Sequence, residues 1–198
     1  MTLPRRFKIF AVFVVIVAAS YGATRLWSSN GGVPTDFQSA RLQGSLIAQD
    51  IVNISNQSDA DLEKVNQLDQ SGKYAEALAI VTQAANRSQD IRDKAVELSD
   101  QISKMTASLS GISSLDARQA ALEAISSRLA LLNQLISYSN DLSKLLDALR
   151  GRFAGESNPQ NIAALVENVN AEVRAVNAFN SQAGQAMDRF DKIMSGGK

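Results

Sequence analysis

Ser114–Phe153 reads SLDARQAALEAISSRLALLNQLISYSNDLSKLLDALRGRF. The stretch is rich in Leu, Ala and Arg, which favour helix, and it holds no proline. Two rows run through it at heptad spacing. One is Leu122, Leu129, Ile136 and Ser143; the other is Ile125, Leu132, Ser139 and Leu146. Steps that alternate between three and four residues keep one stripe on one side of a helix, which is the pattern of a packed helical seam. No window of the chain alternates with period two long enough to suggest a strand.

Downstream, Gly155-Glu156-Ser157-Asn158-Pro159 is a stop followed by a restart. Ser157 or Asn158 is the expected N-cap, with Pro159 at the first helical position. The helix that follows runs to about Met194. Its rows are Ile162, Val169, Val176, Ala183, Phe190 and Val166, Val173, Asn180, Met187, Met194. A short connection makes the two helices antiparallel neighbours, and a turn centred on Glu156 makes opposed residue numbers sum to about 312. That register pairs Leu122 with Phe190, Leu129 with Ala183 and Leu132 with Asn180. A slip of one residue would push Glu172 or Arg189 into the seam, at a desolvation cost of several kcal/mol, roughly.

Upstream, Ser88 is expected to cap a helix carrying Ile91, Ala95, Leu98, Ile102, Met105 and Leu109, which Ser110-Gly111 ends. It folds back near Ile112 onto Leu115–Leu132 and is too short to cover Ile136–Phe153. Three shorter helices are expected before it. The first runs from a Thr35 or Asp36 cap to about Asn56, across Gly44. The second starts at a Ser58-x-x-Asp61 capping box and stops at Gly72. The third covers Tyr74 to about Arg87. The fold class is therefore all-α, an antiparallel bundle with long coiled-coil-like helices.

An apolar run precedes the bundle. Ile9–Thr24 (IFAVFVVIVAASYGAT) carries no charge, with Arg5, Arg6 and Lys8 before it and Arg25 after it. A membrane span needs roughly 17–25 apolar residues. Phe7 through Trp27 is just long enough if Lys8 and Arg25 snorkel outward. The basic excess on the N-terminal side puts the N-terminus in the cytoplasm and the bulk of the chain outside. A cleaved signal peptide is the competing reading, with a core of Ile9–Ala19 and small residues near Ala18-Ala19-Ser20 for cleavage. Either way the remainder is exported. The expected organisation is a basic cytoplasmic stub over 1–8, a transmembrane or signal segment over 9–27, a linker over 28–34, the helical bundle over 35–194 and a flexible tail over 195–198.

One local stretch resembles a known repeat. Gly72, Tyr74, Ala77 and Ala84 fall at the spacings of the turn and second helix of a tetratricopeptide repeat. The first helix departs from that pattern, with Asp61, Lys64 and Val65 at the signature positions. The closing proline is Gln89 here. The match covers about 30 residues and occurs once, where a solenoid stacks about three. The resemblance implies a helical hairpin and is not evidence for a peptide-binding groove.

Composition narrows the function. The chain has 198 residues, no Cys and no His. That removes thiolate chemistry, disulfides, the commonest metal ligand and the commonest general base. No phosphate-binding glycine loop, zinc-protease or hydrolase-elbow motif occurs. The densest carboxylates, Asp59/Asp61/Glu63 and Asp188/Asp191, are expected at a dipole-favoured helix N-terminus and on an exposed face. No catalytic, cofactor-binding or metal-binding residues are assigned, and no cofactor. Beyond Arg25, 16 basic residues face all 20 acidic ones, and no basic cluster exists to bind nucleic acid. Ser139, Ser143 and Asn180 are polar seam positions, either tolerated packing or the lining of a ligand pocket. The expected function is a membrane-anchored extracytoplasmic interaction protein that binds another envelope protein or self-associates through helical faces. The alternatives are a ligand-binding sensor bundle acting through a partner membrane protein and an envelope-polymer hydrolase.

Overall fold

A computed structural model describes residues 32–156 and 161–196 of the chain. The apolar run over 9–27 and the residues Ser157, Asn158 and Pro159 lie outside the described residues. Within them the chain forms four helices: α1 (Thr35–Gln70), α2 (Tyr74–Ala107), α3 (Leu115–Phe153) and α4 (Ile162–Met194), with a 3-10 turn over Ser108–Gly111. No strand occurs among the described residues, and none of the described helices is long and apolar enough to cross a membrane.

Two expected helix breaks are absent. A single α1 replaces the breaks near Asn56 and Ser58, and a single α2 runs through Ser88. The seams explain why. In α2, Ala77, Val81, Ala84, Ser88, Ile91, Ala95, Leu98, Ile102 and Met105 are all buried and step by four and three without interruption. In α1 the row Phe37, Ala40, Gly44, Ile47, Ile51, Ser55, Ser58, Leu62, Val65 continues through the two serines. The serine hydroxyls that suggested caps are used differently. Ser58 Oγ donates to the Ile54 carbonyl at 3.1 Å inside its own helix, and Ser88 Oγ donates across the bundle to the Ser139 carbonyl at 3.0 Å. A serine with such a partner no longer needs to end a helix. Because α2 is long, it also covers the upper part of α3, where Tyr74 stacks on Phe153 at 6.0 Å.

The ends of the helices follow local chemistry. Gly72, with φ +69°, closes α1: Lys73 N–H reaches the Leu68 carbonyl and Gly72 N–H the Asp69 carbonyl. Gly155, with φ +77°, ends α3 in the same way, with Glu156 N–H on the Gly151 carbonyl. These are paired C-terminal closures that only a residue comfortable at positive φ allows. Ser114 caps α3 by accepting from Ala117 N–H at 3.3 Å. Two expected caps are corrected. Neither Thr35 nor Asp36 caps α1, since Pro34 holds that position without a side-chain bond. Asn161, not Ser157 or Asn158, caps α4 by accepting from Ala164 N–H at 3.2 Å.

The four helices run alternately up and down. Cross-helix pairs whose numbers rise on one helix as they fall on the next establish this: Asp50–Lys94 and Asp61–Arg87, then Tyr74–Phe153 and Ser88–Ser139, then Glu123–Arg189 and Gln134–Glu172. On the last pair of helices, 123 and 189 meet the expected sum of 312, and 134 and 172 fall six short of it. Glu172 and Arg189 flank the seam, as the register requires. Sequence-adjacent helices pack closely along their lengths, while α1 and α4 seldom bring their backbones within 8 Å. Long side chains bridge that looser side. The Phe37 and Phe190 rings stand 5.3 Å apart, and Arg41 forks onto Asp191 with both bonds at 2.6 Å.

The connection between α2 and α3 is held from outside. A Cβ on Gly111 would lie 2.6 Å from Pro34 Cγ. The proline ring cannot swing away as a flexible side chain would. Gly111→Ala should therefore lower stability by about 1–3 kcal/mol, read as a lower urea midpoint with an unchanged slope. An unchanged midpoint would mean the α1 entry and this turn do not press together.

Candidate functional site

The seam of α3 keeps one expected row and replaces the other: Ile125, Leu132, Ser139 and Leu146 are buried as expected, while the row of Leu122, Leu129, Ile136 and Ser143 gives way to a second inward row. That row is Ala117, Ala121, Ala124, Arg128, Leu131, Leu135, Tyr138, Leu142, Leu145, Leu149, with all but Arg128 buried. Leu122 and Leu129 stand outside it, 48% and 43% exposed, so their expected seating against Phe190 and Ala183 is corrected; Phe190 packs on Phe37 instead. Leu115, one heptad earlier, is 74% exposed. The helix thus turns leucines out and an arginine in. Local consistency runs the other way, and such inversions mark places where a sequence serves something besides stability.

Three features follow. The first is the outer row Leu115, Leu122, Leu129, which lies on one face of α3; the same heptad row reaches α2 at Ser143, beside Ser88.

The second is a polar layer in the upper core. Ser88 and Ser139 exchange hydroxyl-to-carbonyl bonds at 3.0 and 2.8 Å, and Ser143 Oγ lies 3.0 Å from Ser88 Oγ. These hydroxyls are satisfied, so Ser139 and Ser143 act as packing and register elements between α2 and α3. Nearby in the layer are Asp59 from α1 and the fully buried Tyr138 from α3. Neither carboxylate oxygen of Asp59 has a hydrogen-bond partner among the described residues. Burial raises its pKa to about 7. Tyr138 is pushed up by burial and then by the Asp59 charge, partly countered by Ser55. The expected placement of Asp59/Asp61/Glu63 at a helix N-terminus is corrected: all three are in mid-helix. Asp61 pairs with Arg87, and Glu63 is exposed.

The third is a cavity of about 40 Å³ on the α1–α4 side, walled by Ser45, Leu98, Arg128, Leu131, Asn180 and Met187, with the exposed Asp188 also on its lining. Asn180 therefore parts company with Ser139 and Ser143: it faces a space. Arg128 is half-buried, with its Nε enclosed and without a hydrogen-bond partner among the described residues. Its pKa is pulled down to about 10 by burial and then by the charge of Arg41. Sequence reasoning missed Arg128 because an arginine at an inward heptad position scores as an exposed residue. Its spacing from Ala124 and Leu131 was the available signal. Among the described residues no group of three or more potential metal ligands converges.

The fold and these features define an all-α, up-down four-helix bundle. No family model matches the chain, and neither a curated protein nor a solved structure matches it.

Proposed function

We propose that this protein is a membrane-anchored extracytoplasmic interaction module that docks a helix of another envelope protein on the outer face of α3. The outer leucine row carries this reading. Leu115, Leu122 and Leu129 repeat every seven residues and keep 74%, 48% and 43% of their surface in water. A partner helix with a matching heptad stripe would bury them, at about 25 cal/mol per Å² of apolar surface removed. The basic-flanked apolar run over 9–27 supports the anchored, exported placement. No enzymatic role is assigned: the reading needs no nucleophile, base or metal, in keeping with a chain that lacks His and Cys.

The double variant Leu122→Ser, Leu129→Ser tests it. Both side chains are about half in water, so each change should cost only about 1 kcal/mol and leave the bundle folded. Crosslinking in intact membranes followed by purification should yield a stoichiometric second protein with the parent chain and lose it with the variant. Retention of that protein by the variant would remove α3 as the docking face. Capture of a second copy of this chain alone would replace the heterologous partner with self-association.

A further inference from the structure

We propose that the cavity between α1 and α4 is a binding site for a small monocarboxylate, held by the guanidinium of Arg128. This inference does not depend on the outer leucine row. It begins with an arginine at an inward position of α3 whose Nε is enclosed and which no hydrogen bond or ion pair reaches among the described residues. A partly enclosed charge that no ion pair meets among the described residues is unfavourable, and a folded chain tolerates one more readily where something else supplies the opposite charge. The neighbouring Arg41 cannot share a counter-ion with it, since both its bonds go to Asp191. Arg41 instead adds repulsion, which an anion beside Arg128 would relieve.

The chemistry of the lining selects the anion. A planar carboxylate accepts two parallel N–H bonds from one edge of a guanidinium, a match that a spherical halide cannot make. The Nη1–Nη2 edge is such an edge, and unlike the Nε neither of its nitrogens is fully enclosed. Asn180, on α4, adds an amide that both donates and accepts. Ser45 contributes less, because its hydroxyl proton already goes to the Arg41 carbonyl at 2.9 Å. The apolar wall of Leu98, Leu131 and Met187 suits a short alkyl group. The volume of about 40 Å³ accommodates about three waters, the space of a ligand the size of acetate or glycine. Asp188 also lines the site and carries the opposite sign to Arg128. It repels a second negative charge and favours a carboxylate that bears an ammonium group. Glycine should therefore bind more tightly than acetate, and malonate more weakly than either.

The test uses the full chain purified in detergent, with sodium acetate, glycine and malonate as probes and sodium chloride at matched ionic strength as the reference. The side-chain Nε–H resonance of Arg128, assigned by its loss in Arg128→Gln, should shift saturably with acetate and with glycine and hardly at all with chloride. Both ligands should also raise the melting temperature of the parent chain. Arg128→Gln should weaken that stabilisation at least tenfold, and Arg128→Lys should fall between. Where Arg128→Gln fails to fold, the resonance is assigned through Arg128→Lys and the titration of the parent chain decides alone. An Nε–H resonance that stays still up to about 50 mM of both ligands, where a site with a Kd of about 1 mM would be more than nine-tenths filled, overturns the site. So does stabilisation that survives Arg128→Gln undiminished. Chloride acting as well as acetate overturns the carboxylate assignment.

Discussion

Asp59→Asn should stabilise the bundle strongly at pH 8 and little at pH 5. The carboxyl of Asp59 is buried, lacks a hydrogen-bond partner among the described residues and has its pKa raised from 3.8 to about 7. Between those values the folded protein holds a proton that the unfolded chain has released. Stability from this group is therefore fully present below about pH 4, falls as pH rises toward 7, and stays at its lower level above that. Three pKa units correspond to about 4 kcal/mol. An asparagine of the same shape carries no charge at any pH. It should recover about 2–4 kcal/mol at pH 8, less than the full amount because its own amide also lacks partners. Urea unfolding at pH 5, 6.5 and 8 measures this directly. The parent chain should lose stability across that range, and the variant should lose much less. Equal pH slopes for the two chains would show that Asp59 stays solvated or finds a partner. Tyr138→Phe provides a control, since it removes a hydroxyl whose ionisation the Asp59 charge opposes and leaves the carboxylate in place.

Phe37→Ala is expected to cost about 3–5 kcal/mol, the range for removing a fully buried aromatic side chain. Phe37 is completely buried, and its ring meets Phe190 at 5.3 Å with a tilt of 41°. The position matters more than the residue type. Along the other three sides of the bundle the backbones approach closely, so one lost ring leaves many contacts. Between α1 and α4 the backbones stay apart, and the Phe37–Phe190 pair and the Arg41–Asp191 fork carry much of the closure. Removing Phe37 should therefore speed amide hydrogen exchange preferentially in the last turns of α4, around Phe190, over that in the middle of α3. A double-mutant cycle with Phe190→Ala should show a coupling of about 0.5–1.5 kcal/mol for the ring pair. Uniform loss of protection in all four helices would instead mean that the bundle opens only as a whole.

Much of the architecture was legible in the residues. Heptad steps in Ile91–Leu109, Ser114–Phe153 and Ile162–Met194 identified long packed helices, because a buried stripe at helical spacing has no strand equivalent. Gly72 and Gly155 marked the turns, because the C-terminal closures there need positive φ. The approximate register of α3 on α4 followed from a short connection, and Glu123–Arg189 meets it. For α4 the apolar rows matched burial closely, since its polar and apolar arcs are well separated.

Tertiary structure decided what local pattern left degenerate. Ser58 and Ser88 look like helix starts in isolation, and only the presence of an acceptor, within the helix for one and on α3 for the other, turns them into interior residues. The α3 sequence is apolar around too wide an arc to reveal which leucines face in. A rotation of part of a turn exchanges the row of Leu122 and Leu129 for that of Arg128 and Tyr138, and the neighbours on both sides select between them. The raised pKa of Asp59 and the uncompensated charge of Arg128 likewise arise from what the other helices place around them. Charge and burial are properties of an environment, and sequence alone specifies the side chain but not the groups that solvate it.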